Sequence, residues 1–454
     1  MKTLIKKKLL LSSVALATLF SAANVMAVPF SSPDPRSFAM GGTGVASGSS
    51  ANASFVNPAL LAAARDDEDF SLEFPIFAVS AADPDDLGDA LDTLDTNDSF
   101  AAFDLALINY NAAVNAALPD YNAVLAANAG LVTATQNMSS DLANISNKAL
   151  QLNGSVATAV GIPSKKFGIS LFVNAWGAGG GFAEYTAADQ STVDGITSDL
   201  STTITNLQAL NPSGVPINTL PPATQALIAA ELLAAQVDPT TVDTMTSNFQ
   251  ARFAALAEVG ISFARQVNVG GYDVAVGLTP KFVKVRTYDY IFSGSTLDTA
   301  EVTLDSGEAT ESNFNLDVGL AKDFDNGWKT GLTVKNLMTQ DYVTVLGNTI
   351  KVEPQARLGV SHQTDWTLVA VDVDLTENEP AGFESKSQYV GLGAELDVFD
   401  SAQLRLGYRA NLSDSDSDVA TAGIGLSPFG VHLDLGVAAG SNEVGVSMQL
   451  GFRF

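Results

Sequence analysis

The last twelve residues, Glu443-Val444-Gly445-Val446-Ser447-Met448-Gln449-Leu450-Gly451-Phe452-Arg453-Phe454, alternate apolar with polar or small without a break. Successive side chains of a β-strand point to opposite faces, so this strand has one greasy face and one polar face. Val444, Val446, Met448, Leu450, Phe452 and Phe454 form the greasy one. A soluble sandwich satisfies that pattern, and so does a closed barrel whose apolar side meets lipid.

The aromatic carboxyl end separates the two. A terminal strand closing on an aromatic resembles the signal read by the outer-membrane assembly machinery, with Phe452 and Phe454 as that signal. The other end agrees. Lys2, Lys6, Lys7 and Lys8 precede an apolar core from Leu9 to Phe20 and a small-residue site at Val25-Met26-Ala27, which reads as an export leader over 1–27. Its removal takes four of the 23 basic residues and none of the 50 acidic ones, leaving 19 against 50, a net charge of −31. A surface this acidic speaks against nucleic acid as a partner. Disorder is disfavoured too, because hydrophobic residues make up 46% and charged ones only 16%. There is no cysteine, which removes disulfides and thiolate metal sites together.

Beyond the leader, no stretch approaches the roughly 18 to 20 apolar residues that a membrane helix needs. Period-two segments recur instead. Going backwards from 443–454, they are 430–438, 418–427, 402–411, 388–398, 365–375, 354–363, 328–338, 312–322, 271–288, 256–266, 167–176, 152–162 and 70–81. That makes fourteen strands, and an even number puts both ends of the barrel on the periplasmic side. Loop lengths provide a separate check: the turns on that side are short, and the long connections, above all 82–151 and 177–255, fall on the other.

Those two connections are helical in pattern. Phe103, Leu107, Tyr110, Val114 and Leu118 sit at helical spacing before Pro119, as do Val193, Ile196, Leu200, Ile204, Leu207 and Leu210, with a further helix from Pro221 to Val237. Acidic residues from Asp83 to Asp95 face solvent. The segment 28–69 is rich in Gly, Ser and Ala and lacks strand alternation. A fourteen-stranded barrel is wider than the roughly eight strands whose side chains can fill the lumen, so this segment is assigned to a plug, with 70–454 as the barrel.

Arg36-Ser37-Phe38-Ala39-Met40-Gly41-Gly42-Thr43-Gly44-Val45-Ala46 followed by Asn57-Pro58-Ala59 resembles the plug of FadL-type fatty-acid transporters and the related PorV-type barrels. More closely, the chain resembles a family labelled conjugal-transfer TraF-like. Leu278-Thr279-Pro280-Lys281, Gly331-Leu332-Thr333-Val334-Lys335-Asn336-Leu337 and Pro354-Gln355-Ala356-Arg357-Leu358-Gly359 support it. The resemblance implies an outer-membrane barrel with a hatch at Arg36, Gly41, Gly42, Gly44, Asn57, Pro58 and Ala59. There Asn57-Pro58-Ala59 either bends to let the plug shift or anchors the plug to the wall.

Alternation places Glu258, Asp273, Lys281, Lys335, Arg357, Asp372, Asp374, Arg405, Arg409, Asp434 and Arg453 on the lumen face, as a network holding wall to plug or as a polar path. Catalysis lacks its parts: His362 and His432 are the only histidines, and neither stands near a serine elbow. Gly41-Gly42-Thr43-Gly44 lacks the Lys-Ser/Thr of a phosphate loop, and Asp414, Asp416 and Asp418 lack the glycine and terminal glutamate of a calcium loop, so no cofactor or metal is expected.

The resulting expectation is an all-β transmembrane protein of a Gram-negative outer membrane, a barrel of about fourteen antiparallel strands with a lumen plug and helical outer loops. Its partners would be lipid, the assembly machinery and a hydrophobic or amphipathic ligand passed or bound at the plug. The alternative is a non-transporting envelope component, acting in conjugation or secretion by binding a partner protein through its outer loops.

Overall fold

The computed structural model describes residues 32–63, 69–116, 119–238, 240–241, 244–293, 307–324, 326–378, 382–383, 386–398, 401–414 and 417–453. The leader over 1–27, Leu118, Asp416 and Phe454 lie outside the described residues.

Fourteen strands close into one antiparallel barrel. They are β1 (Ser71–Ala82), β2 (Lys148–Ile162), β3 (Gly168–Glu184), β4 (Asn248–Val269), β5 (Tyr272–Ser293), β6 (Glu308–Asp323), β7 (Trp328–Lys335), β10 (Gln355–Gln363), β11 (Thr367–Asp374), β12 (Tyr389–Val398), β13 (Ala402–Asn411), β14 (Val419–Leu426), β15 (Val431–Gly440) and β16 (Glu443–Arg453). A separate hairpin, β8 (Gln340–Val343) with β9 (Thr349–Val352), lies between β7 and β10. Pairing of β1 with β16 shuts the ring, with Ser71 opposite Arg453 and Ala82 opposite Glu443. Closure leaves no free edge, so the ladder of every strand is satisfied inside the ring.

The alternation of the last strand is realised in space. Val444 and Val446 are 62% and 54% exposed on the outer face, whereas Gln449 is fully buried within. The same holds around the ring, where Phe77, Leu171, Phe282, Leu358, Leu406 and Val437 form an exposed apolar belt. A belt of this size would cost a water-soluble protein dearly and suits contact with lipid. No helix among the described residues is long and apolar enough to cross a membrane.

All fourteen expected strands are present, but β3, β4 and β5 run to 17, 22 and 22 residues and extend past their expected edges. The run Gly177-Ala178-Gly179-Gly180-Gly181 explains the miss in β3: it has almost no side chains to alternate, yet its backbone pairs with both β2 and β4. The helical insertions are correspondingly shorter than 82–151 and 177–255.

They form a cap at the long-loop end. Its helices are α3 (Leu87–Asn97), α4 (Ser99–Val114), α5 (Tyr121–Ile145), α6 (Ala187–Leu210) and α7 (Pro222–Ala234). Of these, α4, α6 and α7 match the helical spacing. The stripe Phe103, Leu107, Tyr110 belongs to one buried cluster with Leu131 and Met138 of α5, Leu200 and Leu207 of α6 and Ile228 of α7. α3 occupies part of the acidic stretch read as solvated. α5, the longest helix, escaped the spacing argument because its large buried side chains are sparse among Ala, Asn, Ser and Thr. Asp120 starts it by accepting the Ala123 N–H at 2.8 Å.

Candidate functional site

The described part of the amino-terminal segment, residues 32–63, lies within the barrel. Pro35 begins the short helix α1 (Pro35–Ala39), and the Asp34 side chain caps it by accepting the Arg36 N–H at 3.0 Å. Gly41 and Gly42 then take φ of 68° and 80°, values that a side chain would strain, and turn the chain back. After α2 (Ala53–Val56), Asn57 is extended, as a residue before proline prefers, and leads into a 3-10 turn over Pro58–Ala62. Asn57 is fully buried; its Nδ2 donates to Val45 O at 2.8 Å and to Leu320 O at 3.0 Å, while its Oδ1 accepts the Ala59 N–H at 3.1 Å. One side chain thus ties two parts of the segment to each other and to β6.

The wall makes room for this backbone with glycines. A Cβ added to Gly277 of β5, Gly319 of β6, Gly331 of β7, Gly393 of β12 or Gly407 of β13 would come within 3.0 Å of Pro58 and Ala59, Asn57, Val45, Met40 or Gly41 respectively. Backbone therefore lies on backbone around much of the ring. Sequence reading passed over these glycines because alternation records only apolar and polar side chains.

The lumen charges pair with the segment and with one another. Arg36 holds both Glu395 oxygens, at 2.7 and 2.8 Å; Arg405 reaches Glu395 at 2.7 Å and Asp434 at 2.5 Å. Arg357 grips Asp374 at 2.6 and 3.0 Å and donates to Gly42 O at 3.0 Å. Asp372 accepts the Gly44 and Val45 N–H groups at 2.8 and 2.9 Å. Arg409 binds Glu443 at 2.8 Å and covers the Tyr389 ring at 4.8 Å. Arg453 reaches the buried Glu73, which also meets His432 Nε2 at 2.6 Å.

Asp273 departs from the expected set. It lies on the lumen register of β5 but beyond the wall, exposed at the short-turn end, where it accepts Asn268 Nδ2 at 2.9 Å. Phe452 is half-buried, opposite Leu72 and Val431. The anionic partners Glu73, Asp317, Glu395 and Glu443 were missed, although Asp317 shares the parity of Asn315 and Gly319 and could have been found from it.

Directly above the segment is a cavity of about 30 Å³, room for about two or three waters. Phe55, Phe172 and Trp176 line it, with Phe55 and Phe172 edge to face at 5.6 Å. Glu258, Lys281, Asp317 and Lys335 line it too, and Asn174 stands between Phe172 and Trp176 on the same face of β3. Lys281 Nζ lies 2.9 Å from Glu258 and 3.0 Å from Asp317, and Lys335 donates to Phe55 O at 2.5 Å. Asn174 donates to Glu258 at 3.2 Å, which fixes its amide, yet its buried Oδ1 accepts nothing. The site is amphipathic, with its charges neutralised in place and one acceptor open.

Comparison with known proteins gives a family. The model described as the F plasmid transfer operon TraF protein matches residues 54–374, more than half of the chain. The chain belongs to this TraF family. No curated protein matches it. Among solved structures it is similar to the Ralstonia pickettii toluene transporter TbuX, at 13% identity and a TM-score of 0.48, covering 92% of this chain and 98% of that one. It is also similar to the monoaromatic hydrocarbon channel CymD, at 11%, 0.48, 94% and 99%, and to the Pseudomonas putida toluene transporter TodX, at 11%, 0.44, 94% and 98%. The TraF match begins in α2 and ends in β11, and every residue lining the cavity except Pro33 falls inside it.

Proposed function

We propose that this TraF-family barrel is exported by cleavage of its leader, sits in the outer membrane with its short turns in the periplasm, and binds or passes small amphipathic molecules at the plug. The observation that carries the reading is the cavity itself, lined both by the aromatic rings of Phe55, Phe172 and Trp176 and by the charge-balanced set Glu258, Lys281, Asp317 and Lys335. Ligand sites pair apolar lining with a few placed polar groups in this way. The open Asn174 Oδ1 favours a neutral solute that brings a hydroxyl or N–H donor. A charged solute would have to break into the Lys281 pairs.

Native mass spectrometry of the folded chain in mild detergent tests this. A small amphipathic molecule should be released from the wild type and reduced in Phe172→Ala and Trp176→Ala variants that remain folded. Retention of the same molecule by both variants would refute the site.

A second reading, a non-transporting envelope component of plasmid transfer or secretion, is favoured by the cap. Leu105 and Ile108 of α4 and Leu227 and Leu233 of α7 are 60%, 64%, 55% and 70% exposed on the outer face of the cap, where Tyr110 OH donates to Ala235 O, at the end of α7, at 2.9 Å. A wild type that releases no small molecule but binds an envelope protein through this face would support it.

A further inference from the structure

The cavity is too small for the solute proposed above, so binding or passage requires some element to withdraw. The amino-terminal segment is poorly suited to be that element. Its backbone is seated on wall glycines from β5 to β13, and Arg36, Asn57 and Asp372 fasten it by side-chain hydrogen bonds. The hairpin β8–β9 is built differently. It joins the adjacent strands β7 and β10, yet it crosses over β6 and lies on the inner faces of β4 and β5. Tyr342, Ile350 and Val352 cluster there with Leu256, Val283 and Val285.

Among the described residues, its tip is fastened to Asp289. Asp289 of β5, 3% exposed, accepts Thr344 Oγ1 and Asn348 Nδ2, both at 2.7 Å, and also Arg252 Nε at 3.3 Å. Its base rests on the cavity. Asn336, with φ of 54°, donates its N–H to Asp317 at 2.8 Å, and both Asn336 and Gln355 line the cavity. A swing of the hairpin about these two ends therefore changes the cavity directly.

We infer that the hairpin 336–355 is the gate over the lumen cavity, that Asp289 is its latch, and that the amino-terminal segment stays seated while the gate opens. The inference rests on the conduit reading. Losing the two tip hydrogen bonds to a buried carboxylate shifts the closed-to-open ratio by about a hundredfold.

The chain has no cysteine, so a Thr344→Cys, Asp289→Cys pair is the only pair that can be bridged. Potassium chloride current through the whole protein in planar bilayers is the readout, with heat-modifiable gel mobility confirming that each variant is folded. The pair should conduct at least tenfold more than wild type when reduced and fall back to the wild-type level when oxidised. A second variant replaces 340–352 by a short Gly-Ser turn and should conduct in every condition. Equal current in the reduced pair, the oxidised pair and the replaced hairpin would overturn the gate while leaving the conduit intact. Current that appears only when residues 32–63 are deleted would assign the gate to that segment instead. Silence of every variant, the deletion included, would remove the conduit reading and the gate with it.

Discussion

The Asp372 carboxylate on β11 accepts the backbone N–H of Gly44 at 2.8 Å, and the same oxygen takes the Val45 N–H at 2.9 Å. Consecutive N–H groups turned on one carboxylate make a small anion nest, here supplied by a segment more than 300 residues away in the chain. Hydrogen bonds to a charged group contribute about 1.5 to 3 kcal/mol each. Asp372→Ala should leave the barrel folded but raise hydrogen exchange around Gly41 to Ser47 by about tenfold or more, since about 1.4 kcal/mol is worth a factor of ten. Unchanged exchange there would mean that the nest contributes nothing to seating the segment.

The glycine contacts make a second prediction. Gly331→Ala and Gly407→Ala place a methyl group against Val45 and Gly41, and overpacking of this kind costs about 1 to 3 kcal/mol. Gly130 of α5 is the control. A Cβ there meets nothing within 4 Å, so Gly130→Ala should stabilise the cap by about 0.5 to 1 kcal/mol. Urea midpoints of the three variants against wild type check the contrast. If the two wall variants behave like the control, the close approach of segment and wall is wrong.

The barrel was legible because each strand has one lipid face and one lumen face, so Val444, Val446 and Met448 announce their geometry without any partner. Charge placement follows from the same parity, and Lys281, Arg357, Asp372 and Arg405 are buried. What parity cannot show is where a strand stops being walled, and Asp273 was lost for that reason. It also says nothing about register or about the path of the segment inside: that Lys281 lies between Glu258 and Asp317 depends on how β4, β5 and β6 pair, and that Asn57 reaches Leu320 on where the segment runs. The hairpin 340–352 was invisible as a gate because its apolar residues read as an ordinary loop until Val283 and Val285 are placed beneath them.

The cap should be sensitive to acid. Burial pushes the Asp189 carboxyl up, but hydrogen bonds from Ser247 and Thr246 outweigh it and hold the group below its ordinary pKa of 3.8. A carboxyl held low in the folded state contributes stability that is present above its unfolded pKa and lost as pH falls through the folded one. Wild-type cap order, followed by near-ultraviolet circular dichroism, should therefore decline below about pH 4. Asp189→Asn should be weaker at neutral pH by about 1 to 3 kcal/mol and lose less on acidification. An acid profile identical to that of wild type would separate Asp189 from cap stability.

At the alkaline end, burial pushes the Tyr110 phenol up to about 12. Stability from its neutral form is complete below the ordinary value of 10 and is lost as pH rises toward 12. Tyr110→Phe keeps the packing, loses the bond to Ala235 O, and should remove this alkaline loss at a cost of about 1 kcal/mol at neutral pH. A Tyr110→Phe variant that unfolds in alkali along the wild-type curve would contradict it.

Of the three tryptophans only Trp176 lines the cavity; Trp328 and Trp366 are 47% and 66% exposed. Replacing those two by phenylalanine leaves one reporter, and benzyl alcohol is a neutral amphipath with a single donor. Titration of this variant in the Asp289→Ala background is the most direct measurement of the lumen site. A saturable change in Trp176 emission, weakened about tenfold by Asn174→Ala, is the predicted result. A change that grows linearly without saturating, and is the same in the Asn174 variant, would contradict the site and with it the function proposed for the barrel.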